Sequence, residues 1–157
     1  MKKMTHLDEK GNARMVDISP KQPTQRAATA KGRITLGENA AGALANNSVP
    51  KGDVFAVARI GAIQAVKKTS ETIPLCHPLR IGAVSVDIEL IDRKATVTCT
   101  VTGIDSTGFE MEALVGVSTA LLIIYDMTKS LDREMVISDI RLIHKAGGKS
   151  GEYKWEE

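Results

Sequence analysis

The chain has 157 residues, a typical size for a single domain with a substantial hydrophobic core. With 43% hydrophobic residues, 25% charged residues and a formal net charge of +2, its overall composition does not indicate a nucleic-acid binder. Two cysteines do not indicate a disulfide scaffold. Because we recognise neither an N-terminal signal sequence nor a membrane span, we expect a soluble, cytoplasmic protein.

The polarity of the chain changes near its two ends and suggests where a folded domain lies. Residues 1–23 are polar and predict a flexible N-terminal arm, within which residues 15–18 form a short docking segment. The patterned part of the sequence covers residues 24–151, which we take as one domain. Residues 152–157 are then a C-terminal tail.

The first patterned segments predict a strand and a short helix. Residues 24–36 alternate loosely, and this segment, which contains Arg26, is typical of a weak or edge strand. Thr35 and Glu38 have the spacing of a capping box, so an alanine-rich helix is expected to begin there.

A second helix is predicted over residues 52–68, where apolar residues cover nearly every side. Its small residues, Ala58 and Gly61 among them, form a flat face that another helix can approach closely. Lys51 precedes the helix N-terminus, a position suited to binding an anion. The alternative is a solvated lysine in a loop.

A proline-bounded loop follows, with the sequence Ile-Pro-Leu-Cys-His-Pro-Leu at residues 73–79. The two prolines fix the backbone around Leu75, Cys76 and His77 and keep it out of a regular helix. The sequence shows no base partner for a catalytic cysteine and too few nearby ligands for zinc, so no metal is expected. His77 is then either a ligand-binding group or a buried structural histidine.

The clearest secondary structure is a β-hairpin at residues 83–90 and 95–101, in which apolar residues alternate with polar ones. A further strand is predicted over residues 134–145. Between them, Thr107 and Glu110 form a second capping box, so a long helix is expected to begin at Thr107. Its uncharged middle is too short to span a bilayer and predicts a buried core helix.

Two carboxylates, Glu112 and Asp126, share one narrow stripe of this helix. Asp126 lies near the C-terminus, where the helix dipole disfavours a negative charge, and Lys129 is placed to pair with it. The pair is either a structural ion pair or a coupled acid and base. Since 14 residues separate the two carboxylates, about 21 Å along the axis, a site that uses both is expected to be shared between subunits.

The C-terminal end carries His-Lys-Ala-Gly-Gly-Lys-Ser-Gly at residues 144–151. Its Gly-Lys-Ser core does not make a Walker A loop, because the first glycine of that motif is missing and no helix can follow. A glycine-rich turn with Lys145 and Lys149 can still hold a phosphate through its backbone N–H groups. The alternative is a solvated tail.

The order of elements predicts an α+β fold of the ferredoxin-like type. We expect a sandwich with a mainly antiparallel four-stranded sheet and helices packed on one face. Sheets of this plan also serve RNA-binding domains, which stack bases on sheet aromatics. The predicted strands contain no aromatic residue, and this argues against RNA binding.

Five motifs in order closely resemble the MoaC family of molybdenum cofactor biosynthesis proteins, known as cyclic pyranopterin monophosphate synthases. They are Lys-Gly-Asp-Val-Phe at 51–55, Ile-Pro-Leu-Cys-His-Pro-Leu at 73–79, Glu-Met-Glu-Ala-Leu at 110–114, Tyr-Asp-Met at 125–127 and Gly-Gly-Lys-Ser-Gly at 147–151. The resemblance implies a hexamer of ferredoxin-like subunits, arranged as a trimer of dimers, with active sites between subunits. It also implies that a cyclised dihydro-GTP, made by a preceding radical SAM enzyme, is converted to cyclic pyranopterin monophosphate and diphosphate.

The resemblance further assigns residues. We expect no cofactor, no nucleic-acid partner and no membrane association. Asp126 is the active-site residue, with Lys129 beside it. The remaining matches are pterin-binding positions and basic residues around the site: Leu75, Cys76, His77, Met111 and Glu112 in the first group, and Lys51, Lys145, Lys149 and Arg26 in the second. A competing class is a non-catalytic regulatory module that binds a nucleotide or pterin, in which Asp126 and Lys129 would have no chemical task.

Overall fold

A computed structural model describes residues 6–149 and 151–156. The first five residues of the predicted arm, Ser150 of the glycine-rich turn and Glu157 of the tail lie outside the described residues. The elements in chain order are β1 (Thr24–Thr35), α1 (Glu38–Ala45), α2 (Val54–Lys67), α3 (Thr69–Thr72), β2 (Ile81–Ile91), β3 (Lys94–Asp105), α4 (Glu110–Thr128), β4 (Val136–Ala146) and β5 (Tyr153–Lys154).

The strands form one open antiparallel sheet in the order β2-β3-β1-β4-β5, and the long helices α2 and α4 pack on one of its faces. The first four strands have the arrangement of a ferredoxin-like fold, so the predicted α+β class is confirmed. The sheet has five strands rather than the expected four. The additional strand, β5, is short and pairs through Tyr153 and Lys154 with the outer edge of β4.

The prediction that residues 24–36 form a weak or edge strand is wrong, because β1 lies in the middle of the sheet between β3 and β4. Its inward residues Ala28, Ala30 and Gly32 are small because α4 packs directly on them. A Cβ on Gly32 would come within 3.0 Å of side chains of both Val117 and Leu121. The weak hydrophobic pattern therefore reflects a close helix rather than an exposed edge.

The flat face of α2 packs against α4 of the same chain, where Ala58 and Ala62 are fully buried. At Gly61, a Cβ would overlap with the Ile123 side chain. The helix that approaches this small-residue face closely is therefore α4 of the same chain. The apolar residues on the remaining side of α2, Val57 and Ile60, are exposed in the single chain.

Neither predicted capping box forms. Helix α4 begins at Glu110 rather than Thr107 and has no side-chain cap, because the Glu110 carboxylate pairs with Lys145 instead. Helix α1 likewise has no cap from its own sequence neighbours, and the backbone N–H of Gly37 donates to the Asp132 carboxylate. In both cases a residue distant in sequence supplies the partner, which local spacing cannot reveal.

The hairpin matches its prediction, and the central helix is a core helix as predicted, although it begins three residues later. On β3 the inward row Ala95, Val97, Cys99 and Val101 is fully buried beneath the helices. Among the described residues α4 is the one helix long and apolar enough to cross a membrane. It packs instead against the sheet and α2, as expected of a buried core helix.

Candidate active site

A pocket of about 420 Å³ opens at the N-terminal end of α4. The proline-bounded loop forms one wall, the first turn of α4 a second, and the N-terminal arm a third. Five sequence-predicted residues line it together: Leu75, Cys76, His77, Met111 and Glu112. Residues that are 35 positions apart in sequence therefore meet in one cavity, with exposed apolar side chains, Leu75 and Met111, at its rim.

Glu112 is the most unusual group of this pocket, since it is a carboxyl group with only 3% exposure. Burial raises the pKa of Glu112 to about 7, and the nearby carboxylates of Glu110 and Asp105 contribute to this increase. At neutral pH Glu112 can therefore act as a hydrogen-bond donor or as an acceptor. A group of this kind suits a ligand that presents polar N–H edges.

The two neighbouring loop side chains differ in what they can do. Burial, together with the nearby Glu112, raises the pKa of the Cys76 thiol, so the reactive thiolate is disfavoured. His77 is half-buried and faces the cavity, so it is not the buried structural histidine that the sequence left open. The loop therefore forms part of the pocket wall and offers the His77 ring for hydrogen bonding, but it does not offer a reactive nucleophile.

The N-terminal arm contributes residues that sequence reasoning did not assign to a site. Val16 and Ile18 are partly buried and line the pocket together with Lys21. The hydroxyl of Ser106 donates to the Lys21 carbonyl at 2.9 Å, which fixes the arm close to the start of α4. The docking of residues 15–18 is expected from their apolar character, but nothing in the polar sequence around Lys21 distinguishes this lysine from other exposed lysines.

Three of the predicted basic residues lie beside this end of α4. Lys145 forms an ion pair with Glu110 at 2.6 Å. Arg26 donates from Nε to the Asp105 carbonyl at 3.0 Å, next to the pocket wall. The turn that leads to Lys149 approaches Arg26 closely, since a Cβ on Gly148 would overlap with its guanidinium. Gly148 also has a φ of 76°, which favours glycine.

A second group of predicted residues lies at the C-terminal end of α4. The ammonium of Lys129 donates to Asp126 Oδ1 at 2.6 Å, and Lys51 Nζ donates to the Asp126 backbone carbonyl at 2.8 Å. Hydrogen bonding from Lys129, and then its charge and that of Lys51, lowers the pKa of Asp126. The pair predicted from the i, i+3 spacing is thus present.

This second group is open to solvent. The side chains of Asp126 and Lys129 are 59% and 54% exposed, and an open cavity of about 530 Å³ lies next to Lys51 and Lys129. Neither of these two cavities is lined by a residue of the other group. The two groups are 14 residues apart on α4, about 21 Å along its axis. Each end of α4 thus holds one part of the predicted set.

Comparison with known proteins covers nearly the whole chain. A model of the MoaC family matches residues 15–148. A protein of Parvibaculum lavamentivorans is 53% identical over 156 residues, which are 98% of this chain and 97% of the relative. A Heliobacterium modesticaldum protein is 49% identical over 159 residues, covering 100% of both chains. A Pelobacter propionicus protein is 51% identical over 97% of this chain and 96% of the relative. Each relative is named cyclic pyranopterin monophosphate synthase.

Proposed function

This chain belongs to the MoaC family, and we propose that it is a cyclic pyranopterin monophosphate synthase of molybdenum cofactor biosynthesis. The observation that carries the proposal is the name shared by relatives that are about half identical over the full chain. The substrate is a cyclised dihydro-GTP, supplied by a preceding radical SAM enzyme. The products are cyclic pyranopterin monophosphate and diphosphate, so we assign the enzyme to the phosphorus–oxygen lyases.

The pocket at the N-terminal end of α4 is suited to the purine- and pterin-like part of the substrate. The aminopyrimidine edge of such a ring presents two neighbouring N–H donors, which one carboxylate can accept together. Glu112 is our candidate for this contact, and ligand binding would then favour its ionised form. Leu75, Met111 and Cys76 offer apolar contacts to the ring faces, and His77 a hydrogen bond.

Asp126 and Lys129 are the proposed catalytic pair. Opening the five-membered ring of the purine and closing the pterin ring require several proton transfers, which suit a coupled carboxylate and ammonium. Hydrogen bonding from Lys129 lowers the pKa of Asp126, so the aspartate is ionised and has the free oxygen lone pairs that a proton acceptor needs. Lys129, which holds the shared hydrogen bond at 2.6 Å, is the matching donor.

The remaining step releases diphosphate. A sugar hydroxyl attacks the α-phosphorus, the bond from that phosphorus to the β-phosphate oxygen breaks, and the negative charge that develops on the leaving group needs cations. Lys51, Lys145, Lys149 and Arg26 are the candidates. Lys145 is bound to Glu110 in the free protein, so its use requires exchange of that carboxylate for the substrate.

We further infer that the working site forms between subunits of a homo-oligomer. The Glu112 pocket and the Asp126 pair lie at opposite ends of one helix, so a single substrate reaches both only if they come from different copies. The exposed apolar residues Val57, Ile60 and Leu122 support helix-face contacts between copies. A hexamer built as a trimer of dimers, acting in the cytoplasm, is the assembly we propose.

The direct test supplies purified protein with the cyclised dihydro-GTP and follows cyclic pyranopterin monophosphate and diphosphate by chromatography and mass spectrometry. We expect both products in equal amounts and turnover that depends on Asp126. Saturable binding of the substrate without product would instead identify a non-catalytic nucleotide- or pterin-binding module. Absence of both binding and turnover would refute the proposed function.

A further inference from the structure

The face of the sheet opposite the helices carries a group of cations that the proposed reaction does not use. Lys31 and Arg33 are on the outward side of β1, since their neighbours Gly32 and Ile34 are buried beneath the helices. Arg141 of β4 pairs directly with Lys31 in the sheet register. Side chains on one face of paired strands lie about 5 Å apart at their Cβ atoms, so these positions are immediate neighbours.

A bulge in β4 and an acidic side chain hold the two arginines. The β1–β4 register shifts between Lys31 and Arg33, and at this shift Asp139 has a φ of 57°, a left-handed conformation that is uncommon outside glycine. The Asp139 carboxylate forms ion pairs with Arg33 and, at 2.7 Å, with Arg141. One carboxylate thus holds two guanidinium groups at the edge of the same surface cavity.

The C-terminal segment that contains Trp155 forms one wall of this cavity. The backbone N–H of Trp155 donates to the Ile143 carbonyl at 2.9 Å, which fixes the end of the chain against β4. The Arg141 guanidinium lies over the Trp155 ring at 4.4 Å from its centre, a favourable cation–π distance. The result is a cavity of about 280 Å³ lined by the three cations, Asp139, Ile143 and Trp155, among others.

The charges in this cavity do not balance. Lys31, Arg33 and Arg141 carry three positive charges against the single negative charge of Asp139, and within the described residues Lys31 forms no ion pair or hydrogen bond through its side chain. The acidic residues Asp87 and Glu89 of β2 lie two strands away from β1, about 10 Å by strand spacing. The charges of the residues that line the cavity therefore sum to +2.

We propose that Lys31, Arg33 and Arg141 form a second binding site on this face of the sheet, for a phosphate group. Guanidinium groups that are already oriented bind phosphate oxygens through paired N–H donors, and a free ammonium adds a third contact. The phosphate comes from inorganic phosphate, from diphosphate or from a nucleotide, which share this chemistry. The site is separate from both ends of α4, because it lies on the opposite face of the sheet.

Trp155 makes the test specific, since it is the only tryptophan in the chain. We would titrate the full-length protein with inorganic phosphate, diphosphate and GTP at constant ionic strength and follow tryptophan emission. At least one of the three should give a saturable change, and comparison of the three identifies the source of the phosphate. A matching change with sodium chloride, or no saturable change with any of them, would overturn the proposal.

Three variants distinguish this site from a general attraction of anions to surface lysines and from binding at the proposed active site. Lys31→Gln removes the unpaired ammonium of the cavity, and we expect it to weaken the apparent affinity about tenfold, the usual effect of losing one charged hydrogen bond. Lys94→Gln removes an exposed lysine at the turn that begins β3 and should leave the titration unchanged. Lys51→Ala alters the proposed active site and should also leave it unchanged. An unaffected Lys31→Gln, or a titration lost in Lys51→Ala, would contradict the assignment.

Discussion

Glu112 and Asp126 lie on the same helix, yet their surroundings change their pKa values in opposite directions. Burial raises the pKa of Glu112 to about 7, whereas hydrogen bonding from Lys129 lowers that of Asp126. This division leaves Asp126 ionised at neutral pH, where Glu112 is only partly ionised. The proposed roles of the two residues follow this division.

The sequence predicts only one of these two environments. The contact between Lys129 and Asp126 follows from helical spacing and is present at 2.6 Å. The burial of Glu112 depends on the proline-bounded loop and the arm, which pack on α4 from distant parts of the chain. The ion pair between Lys145 and Glu110 joins residues 35 positions apart, so no local pattern could reveal it.

Replacing Glu112 by glutamine should change how stability depends on pH. The folded-state pKa of about 7 exceeds the reference value of 4.5, so the folded protein binds more protons than the unfolded chain in this interval. Wild-type stability therefore falls as pH rises from about 4.5 to about 7. Glu112→Gln should match the wild type near pH 4 and be more stable above pH 7 by about 3 kcal/mol.

Urea unfolding of both proteins between pH 4 and pH 9 measures this difference. Glu89→Gln, in the exposed part of β2, controls for the loss of one carboxyl group. A stability difference between Glu112→Gln and wild type that is constant across the pH range would show that Glu112 is not held in its protonated form by burial.

Asp126→Asn and Lys129→Ala should each abolish turnover, with losses of at least about 10²-fold, the scale of acid–base catalysis. Both side chains are more than half exposed, and exposed ion pairs contribute little to folding, so thermal unfolding and oligomeric mass should stay close to wild type. Lys94→Ala serves as the matched control. Steady-state assays of the three variants decide the question, since retained activity in Asp126→Asn or Lys129→Ala refutes the acid–base assignment.

At the level of elements, strict alternation predicts the hairpin because its inward row is apolar and fully buried in β3. The pattern of β1 resembles that of an edge strand because its inward positions are alanine and glycine, whose small size is explained only by the helix above them. The capping boxes fail because long-range partners, Lys145 and Asp132, bind groups at the starts of α4 and α1. Local sequence patterns thus predict the helices and strands, but they do not predict which distant residues contact them.

Two glycine-to-alanine substitutions should have opposite effects on stability. Gly32→Ala places a methyl group within 3.0 Å of Val117, Leu121 and Ile140 at once, and overpacking of this kind costs about 1–3 kcal/mol. Gly42→Ala, within α1, meets nothing within 4 Å and should stabilise by about 0.5–1 kcal/mol, because alanine favours a helix. Chemical denaturation measures both. If Gly32→Ala were as stable as the wild type, α4 would not be packed closely against β1.

For the whole molecule, the fold brings distant residues together into two groups of candidate site residues. The loop at 73–79, the arm and the first turn of α4 meet at one end, and Lys51, Asp126 and Lys129 meet at the other. Helix length alone predicts this separation from the sequence. The sequence does not predict the pocket at the N-terminal end of α4 or the cavity lined by Lys31, Arg33 and Arg141. Both depend on tertiary packing between distant parts of the chain.

A mixture of two inactive variants tests the shared site most directly. Glu112→Gln, which removes the proposed ring contact, and Asp126→Asn are each expected to be inactive when purified alone. They are co-expressed with different affinity tags so that mixed oligomers can be isolated and assayed. We expect recovery of activity if each site is built from opposite ends of α4 in two copies. A mixed dimer then has one site with both native residues and one site with neither. Because random pairing makes about half of the dimers mixed, about a quarter of wild-type activity should return. If the mixed oligomers remain as inactive as the single variants, each chain builds its site alone and the shared-site assignment is wrong.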